Sequence, residues 1–252
     1  MKRVIAFSLI VVLGGWLSDA QAGEEGEVMA KYSNRKVGVV LSGCGVYDGA
    51  EIHESVLTLL TLDEAGAQIV CMAPNIPQHH VVNHVDGQEI ANESRNVHRE
   101  AARIARGDIK DVKDVSAANL DALIFPGGFG AAKNLSDFAI KGKDCTVNTD
   151  VERLIREMHA AKKPIGFICI APAIAARVLG EHHPKLTIGS DEGTAEAIEA
   201  MGGIHVTHGV DEIEVDEPNR IVSTPAYMLG PSISKVAAGI EKLVLKVLEL
   251  TE

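Results

Sequence analysis

The chain has 252 residues, 46% of them hydrophobic and 4% aromatic, and a formal net charge of −11 at pH 7. Its length and apolar content suffice for one substantial hydrophobic core. The negative charge argues against a nucleic-acid-binding surface. The four cysteines form no C-x-x-C pair, so neither a disulfide framework nor a zinc site is indicated.

Residues 1–22 have the features of a secretory signal peptide. A basic start is followed by an apolar run over residues 4–17, too short for a membrane span, and by an A-x-A cleavage site. In a second interpretation translation starts at Met29, because residues 23–26 (GEEG) can be encoded by a ribosome-binding sequence. Residues 1–28 would then be an extension assigned in error. The first interpretation predicts a periplasmic or secreted protein and the second a cytoplasmic one; both leave a single domain over residues 36–252.

From residue 36 onward, apolar strands alternate with helices, which is the pattern of a doubly wound parallel sheet. Strands completing this sheet are predicted over residues 37–41, 67–72, 120–125, 164–168 and 186–188, and near Ile213 and Ile221. Helices are predicted over residues 50–65, 94–106, 150–161, 173–179, 194–201 and 232–250. The first helix carries one apolar face at helical spacing, formed by Ile52, Val56, Leu59 and Leu60.

Three histidines, His79, His80 and His84, follow the second strand in a polar stretch. Their spacing could suggest a metal site, but no carboxylate or thiol lies at a suitable distance along the chain. We interpret the stretch as a solvated loop, and we expect neither a metal nor another cofactor.

Residues 164–172 (PIGFICIAP) predict a buried strand that ends at Cys169 and turns directly into a helix. Ligands of open α/β folds bind at this edge of the sheet, outside the carboxyl ends of the strands. Small neighbours, Gly166 and Ala171, let a side chain project from the turn, as in nucleophile elbows. The N-terminus of the following helix is expected to lower the pKa of the thiol. We interpret Cys169 as a nucleophile; a buried structural cysteine is the alternative.

Gly127 and Gly128 follow the strand over residues 120–125, so they are predicted to reach the same crevice. Adjacent glycines allow backbone N–H groups to approach an oxyanion closely. An ordinary glycine turn is the alternative.

Glu51 and Glu54 lie in the first turn of the first helix, where one of them could exchange a proton with Cys169. Burial beside a thiolate would raise the pKa of that carboxyl. Alternatively, both glutamates merely complement the helix dipole. Cys44, in the glycine-rich loop over residues 42–49, is a weaker candidate for lining the same crevice.

Four motifs together resemble the ThiJ/PfpI superfamily, and within it the ElbB subgroup. They are residues 42–54 (SGCGVYDGAEIHE), 126–135 (PGGFGAAKNL), 166–172 (GFICIAP) and 224–228 (TPAYM). The resemblance extends from about residue 36 to the end and does not cover residues 1–28. It implies an α/β, flavodoxin-like three-layer sandwich with a mostly parallel sheet, of the class I glutamine amidotransferase-like type. Because relatives of this fold often form dimers, it also implies a homodimer.

The resemblance assigns the family's nucleophile to Cys169 and the carboxyl that bonds its sulfur to Glu54, with Glu51 one turn earlier. The oxyanion glycines correspond to Gly127 and Gly128. Ile170 replaces the histidine found beside the nucleophile in protease-like members, which argues against peptidase activity. No His-x-Glu pair lies near the C-terminus, which argues against glutamine amidotransfer.

ElbB proteins are called glyoxalases or isoprenoid-biosynthesis proteins, so the resemblance implies a cofactor-free lyase for small 2-oxoaldehydes. Cys169 would form a hemithioacetal with glyoxal or methylglyoxal, and Glu54 would move a proton between the carbons. Backbone N–H groups near Gly127, Gly128 and Ile170 would hold the enediolate. Deglycation of proteins or nucleotides would be the same chemistry, with glyoxal released from a hemithioacetal or aminocarbinol. The alternatives are a non-catalytic redox-sensing or binding module, in which Cys169 is oxidised, and an amidase partner in an isoprenoid pathway.

Overall fold

The computed structural model describes residues 31–252, so the predicted N-terminal segments, residues 1–22 and 1–28, lie outside the described residues. The strands are β1 (Lys36–Val40), β2 (Gln68–Ala73), β3 (Lys110–Asp111), β4 (Ala122–Phe125), β5 (Ile165–Ile168), β6 (Lys185–Leu186), β7 (Ile204–His205), β8 (Glu214–Asp216) and β9 (Ile221–Thr224).

The α-helices are α1 (Ile52–Glu64), α2 (Val97–Ile104), α3 (Phe129–Lys133), α4 (Phe138–Lys141), α5 (Thr149–Ala160), α6 (Pro172–Leu179), α7 (Glu192–Ala200) and α8 (Ile233–Glu249). Within residues 31–252, none of the helices has the length and apolar character needed to cross a membrane.

The main sheet has seven strands in the order β3-β2-β1-β4-β5-β9-β8. All neighbouring pairs are parallel except β8, which runs antiparallel to β9 at one edge. The five central strands, numbered along the chain, follow the order 2-1-3-4-5 that is typical of flavodoxin-like folds. The predicted α/β fold with a mostly parallel, flavodoxin-like sheet is therefore confirmed.

Helices cover both faces of the sheet and give three layers. Buried residues of α1, α2 and α8 pack in one apolar cluster, and those of α5, α6 and α7 pack in the other. In the second cluster the rings of Phe125 and Phe167 stack between β4 and β5, with centroids 5.1 Å apart. Strands buried on both faces are expected to be continuous apolar runs, and β4 and β5 are buried at every position.

The prediction that residues 186–188 complete the main sheet is wrong. The strand there is Lys185–Leu186, and it pairs with β7 in a separate two-stranded parallel sheet. On the side towards the main sheet, side chains contact this segment: Asp216 of β8 accepts from the Lys185 N–H at 2.8 Å, and Ser223 of β9 accepts from the Thr187 N–H at 2.9 Å. The segment is thus tied to the main sheet through side chains and forms its backbone ladder with β7.

The apolar face predicted for the first helix is not its buried face. In α1, the side chains of Ile52, Val56 and Leu60 are 44 to 48% exposed. The buried side is mostly polar and consists of Glu54, Ser55, Thr58, Thr61 and Leu62. The hydroxyl groups there donate to backbone carbonyls of the preceding turn, which satisfies them without solvent. The helix is thus turned to bring Glu54 inward.

Candidate active site

Four chain segments meet at the carboxyl edge of the sheet. They follow β1, β4, β5 and β9, and they contain the glycine-rich loop with the start of α1, Gly127 and Gly128, Cys169, and Tyr227. After β1 the chain adds β2 and β3 on one side of that strand and then crosses to its other side with β4. Open α/β folds form ligand crevices at such a switch point, which here lies between β1 and β4.

Cys169 occupies a strained turn between β5 and α6. Its φ angle is 62°, in the left-handed region that residues with a side chain rarely adopt and that recurs at functional sites. Its N–H donates to the Thr224 carbonyl at 2.9 Å, which fixes the turn against β9. The sulfur accepts hydrogen bonds from the N–H groups of Gly128 and Ile170. The residue as a whole is 8% exposed, and its thiol is buried.

Glu54 is fully buried beside this thiol. One carboxyl oxygen accepts from the Gly127 N–H at 2.9 Å, and the other accepts from the Tyr227 N–H at 3.2 Å. The carboxyl also forms a hydrogen bond with the side chain of Cys169. The three contacts hold the carboxyl between the loops after β4, β5 and β9. Of the two glutamates singled out in the sequence, Glu54 is the one that meets the sulfur.

Gly127 is the residue around which the thiol and the carboxyl come together. A Cβ atom at this position would lie 2.5 Å from the Cβ of Cys169 and 2.8 Å from a carboxyl oxygen of Glu54. The Gly127 N–H is bound to Glu54, so it is not free to bind a substrate oxyanion as predicted. The N–H groups directed at the sulfur are those of Gly128 and Ile170. Gly128 has a φ angle of +87°, and a side chain there would collide with the backbone of Glu51.

Burial raises the pKa of both the carboxyl and the thiol. Burial, followed by the charge of Glu51, raises the pKa of Glu54 from 4.5 to about 8. Burial, followed by the charge of Glu54, raises the pKa of Cys169 well above its usual value, although the N–H donors of Gly128 and Ile170 act in the opposite direction. The lowered thiol pKa expected from the helix N-terminus is therefore wrong in its net direction. At neutral pH this pair holds its protons.

Glu51 and Cys44 have other surroundings. Glu51 is the N-cap of α1, and its carboxylate accepts from the Glu54 N–H at 2.6 Å. This satisfies a free donor of the first turn, as capping residues do. Cys44 is half-buried, burial raises its pKa, and the charges that act on it include those of Glu100 and Arg103, at α2.

Tyr227 and His53 were missed as site residues. Tyr227 supplies an N–H to Glu54, and its hydroxyl lies 2.8 Å from Nδ1 of the exposed His53. Tyr227 lies in the motif TPAYM, which supported the family resemblance but did not indicate that Tyr227 contacts Glu54. Because its contribution to Glu54 is a backbone N–H, residue type alone gives no signal for it.

The histidine-rich stretch is not uniformly solvated. His79 is exposed, but the side chain of His80 is only 17% exposed and lies 3.6 Å from Glu89 and 3.1 Å from the Lys133 amine. Within the part of the chain that the structure describes, no three His, Cys, Asp or Glu side chains form a group that could hold a metal ion.

Curated relatives match most of the chain, although no family model matches it. The human mitochondrial protein "glutamine amidotransferase-like class 1 domain-containing protein 3" is 52% identical over 225 residues, which are 86% of this chain and 83% of the relative. The mitochondrial "ES1 protein homolog" of Rattus norvegicus is 51% identical over 225 residues, 86% of this chain and 84% of the relative.

Solved structures share the same fold. An isoprenoid biosynthesis protein with amidotransferase-like domain from Ehrlichia chaffeensis is 37% identical, with a TM-score of 0.78 over 85% of this chain and 99% of that one. Glyoxalase III from Candida albicans is 15% identical, with a TM-score of 0.54 over 84% and 96%, and so shows the fold alone. The amidotransferase-like resemblance found in the sequence is confirmed: this chain belongs to the ES1 family of class 1 glutamine amidotransferase-like proteins.

Proposed function

We propose that this protein is a cofactor-independent glyoxalase, which converts glyoxal, and secondarily methylglyoxal, to the 2-hydroxy acid without glutathione. The observation that carries the proposal is the buried carboxyl of Glu54, hydrogen-bonded to the thiol of Cys169 and with its pKa raised to about 8. A carboxyl with a pKa near the working pH both takes and returns a proton readily. That is the property which isomerisation of a 2-oxoaldehyde requires.

In the first step, the Cys169 sulfur bonds to the aldehyde carbon and the C=O π bond breaks. Glu54 in its carboxylate form takes the thiol proton and passes it to the aldehyde oxygen, so a neutral hemithioacetal results. Because the raised pKa keeps the thiol protonated, Glu54 is needed to generate the nucleophile. The N–H groups of Gly128 and Ile170, which point at the sulfur, can bind an oxygen on the carbon attached to it.

In the second step, Glu54 removes the proton from the former aldehyde carbon; the C–H electron pair forms a carbon–carbon double bond, and the π bond of the neighbouring carbonyl breaks onto its oxygen, which gives an enediolate. Return of that proton to the neighbouring carbon, with transfer of the hemithioacetal hydroxyl proton to the neighbouring oxygen, re-forms a carbonyl at the sulfur-bearing carbon and gives a 2-hydroxyacyl thioester on Cys169. Water then cleaves the thioester, which releases glycolate from glyoxal, or lactate from methylglyoxal, and restores the thiol. One water is consumed and no oxidant or reductant is needed, so the sequence balances without a cofactor.

Two kinds of comparison bear on this proposal, one through the fold and one through the sequence. Glyoxalase III shares the fold, while the ES1 relatives share half of the sequence under names that state no activity. Release of glyoxal from a hemithioacetal or aminocarbinol adduct uses the same groups, so deglycation is a secondary form of this proposal.

The test is conversion of glyoxal by the purified protein without glutathione, followed by NMR. We expect many equivalents of glycolate per protein at pH 8. In deuterium oxide, part of the glycolate should carry deuterium at C2, since a proton held by Glu54 exchanges with solvent. Absence of turnover, with Cys169 instead oxidised by peroxide at a rate typical of a thiolate, would favour the redox-sensing alternative. The raised pKa of Cys169 argues against that alternative, because oxidation follows thiolate character.

We also propose that two copies associate through the exposed stripe of α1, formed by Ile52, Val56 and Leu60. Three apolar side chains on successive turns form a continuous patch, unlike scattered surface residues. The stripe begins two residues before Glu54, so a second copy would lie at the rim of the candidate active site.

Light scattering coupled to size exclusion tests this association. We expect the wild-type protein to elute as a dimer and Val56→Glu as a monomer, because a charge at the centre of the patch would be desolvated. Leu245→Glu is the matched control, since Leu245 is an exposed apolar residue of α8 outside the stripe. A monomeric wild type, or equal dissociation of both variants, contradicts the proposal.

A further inference from the structure

A cavity of about 370 Å³ lies at the edge of the sheet opposite to Cys169. Cys169 directly follows β5, whereas the cavity is lined by Lys162, three residues before that strand, and by Arg220, directly before β9. Because β5 and β9 are parallel, both residues lie at the amino edge of the sheet. The cavity is therefore separate from the candidate active site.

The lining of this cavity is basic in a protein whose net charge is −11. Arg156, Lys162 and Arg220 supply positive charges, His159 and His182 supply imidazoles, and no carboxylate is among the lining residues. Arg156 is partly neutralised by Glu152 at 2.9 Å and Glu181 at 3.2 Å. Within residues 31–252, Lys162 and Arg220 form no ion pair.

Among the described basic residues that line the cavity, Arg220 is the one with an unpaired buried donor. Its Nε atom is buried and has no hydrogen-bond partner among the described residues. A buried donor without an acceptor is costly, and more so in a charged group, so such donors are rare. The guanidinium group is a planar fork of donors that matches the oxygens of phosphate or carboxylate.

Neighbouring contacts hold the wall of the cavity in place. The Asn219 side chain bonds to Nε2 of His159 at 3.1 Å, to the His182 carbonyl at 3.2 Å and to Asp216 at 2.8 Å. The rings of the two histidines are 4.4 Å apart. The Arg220 carbonyl accepts from the Ile165 N–H at 2.9 Å, which ties the start of β9 to the start of β5. The basic groups are thus presented by a connected framework.

Cations near helix C-termini commonly serve only to complement the helix dipole. This explanation suits His159 and Lys162 at the end of α5, and His182 after α6. It does not apply to Arg220, which precedes a strand and carries the unsatisfied donor. A helix C-terminus also gives no reason for a cavity.

We propose that this cavity is a binding site for the phosphoryl group of a small phosphorylated molecule. The arginine forks and the lysine charge supply the donors and the neutralising charge that such a group requires. A volume of about 370 Å³ is in the range of small-ligand sites. The acidic surface of the rest of the chain is unfavourable to a polymeric nucleic acid, so the ligand is a small molecule.

Isothermal titration of the full chain with inorganic pyrophosphate tests the proposal, with orthophosphate and citrate as separate arms. We expect saturable binding of one pyrophosphate per chain, weaker binding of orthophosphate, and binding of citrate at least about tenfold weaker than pyrophosphate. Arg220→Gln and Lys162→Gln should each lower the pyrophosphate affinity about tenfold, the loss typical of a charge-assisted hydrogen bond. Lys143→Gln is the matched control, because this exposed lysine lies outside the cavity and its loss changes the net charge equally.

Circular dichroism establishes that each variant is folded, and Lys162 is an exposed position. The proposal is overturned by an absence of saturable binding up to about 10 mM pyrophosphate, a concentration well above the dissociation constant of a specific site. It is also overturned if Lys143→Gln weakens binding as much as the cavity variants, or if citrate binds as tightly as pyrophosphate. Weaker binding by Lys143→Gln would indicate a general attraction of anions to the protein. Tight binding of citrate would indicate a site for any polyanion.

Discussion

Replacement of Cys169 by alanine is expected to lower kcat/KM for glyoxal by about 10³-fold or more, as loss of a covalent nucleophile does in other enzymes. Without the sulfur no thioester can form, and the carboxyl of Glu54 alone has nothing to hold the aldehyde. Cys169→Ser should be similarly inactive, because a serine hydroxyl gives up its proton less readily than a thiol. The measurement is the initial rate of glycolate formation by NMR, in buffer that contains no thiol.

The matched control is Cys44→Ala, which removes the thiol of the glycine-rich loop. Since the charges acting on Cys44 include those of Glu100 and Arg103 at α2, we expect its activity to stay within a few-fold of wild type. Equal loss of activity in the two variants would place Cys44 in the crevice with Cys169. Wild-type activity in Cys169→Ala would refute covalent catalysis at this site.

The fold and the turn that carries the candidate nucleophile could be predicted because both depend on local patterns. Continuous apolar runs such as β4 and β5 identify strands buried on both faces, and the alternation with helices sets the topology. The turn at Cys169 follows from the abrupt end of an apolar strand between small residues, Gly166 and Ala171. Such signals lie within a few residues of one another in the chain.

The orientation of α1 could not be predicted, because apolar periodicity assumes that apolar side chains face inward. Here Ser55, Thr58 and Thr61 face inward instead, and each satisfies its hydroxyl on the backbone of the preceding turn. The apolar side, with Ile52 and Val56, is left exposed. The inward face of α1 thus carries the carboxyl of Glu54 and three hydroxyl groups, which apolar periodicity does not indicate.

The pKa of the thiol was also beyond a local prediction. A helix N-terminus favours the thiolate, and the N–H groups of Gly128 and Ile170 do act in that direction. Burial and the carboxyl of Glu54, which arrives from another part of the chain, outweigh them. In the proposed mechanism, activation of the thiol therefore falls to Glu54 rather than to the helix N-terminus.

Glu54→Gln is expected to lower kcat/KM by about 10² to 10⁴-fold, the usual contribution of a general acid–base. In the wild type, the carboxylate form of Glu54 takes the proton, and its raised pKa means that this form accumulates only as the pH approaches 8. We therefore expect kcat/KM to rise with pH between 6 and about 8 and then to level off, with a midpoint that belongs to the coupled pair. The residual activity of the variant should lack this rise. A flat wild-type profile would show that Glu54 is not the base.

The same substitution should change how stability depends on pH. The pKa of Glu54 is about 8 in the folded protein against 4.5 for the exposed carboxyl, so the folded state retains a proton that the unfolded chain has lost. The free energy of unfolding is therefore highest below pH 4.5 and falls as the pH rises towards 8, by roughly 3–5 kcal/mol from this one group. Glutamine cannot lose a proton, so the variant should escape that fall.

At pH 5 the variant should instead be less stable than wild type, by about 1–3 kcal/mol, because an amide nitrogen cannot accept from the N–H of Gly127 or Tyr227. The two stability curves, measured by urea unfolding, should cross between pH 5 and pH 8. Glu64→Gln is the control, since that exposed carboxyl ends the same helix and its curve should run parallel to wild type. Parallel curves for Glu54→Gln as well would mean that Glu54 is ionised in the folded protein. The burial that makes this carboxyl a proton carrier is thus expected to destabilise the fold at the pH at which it acts.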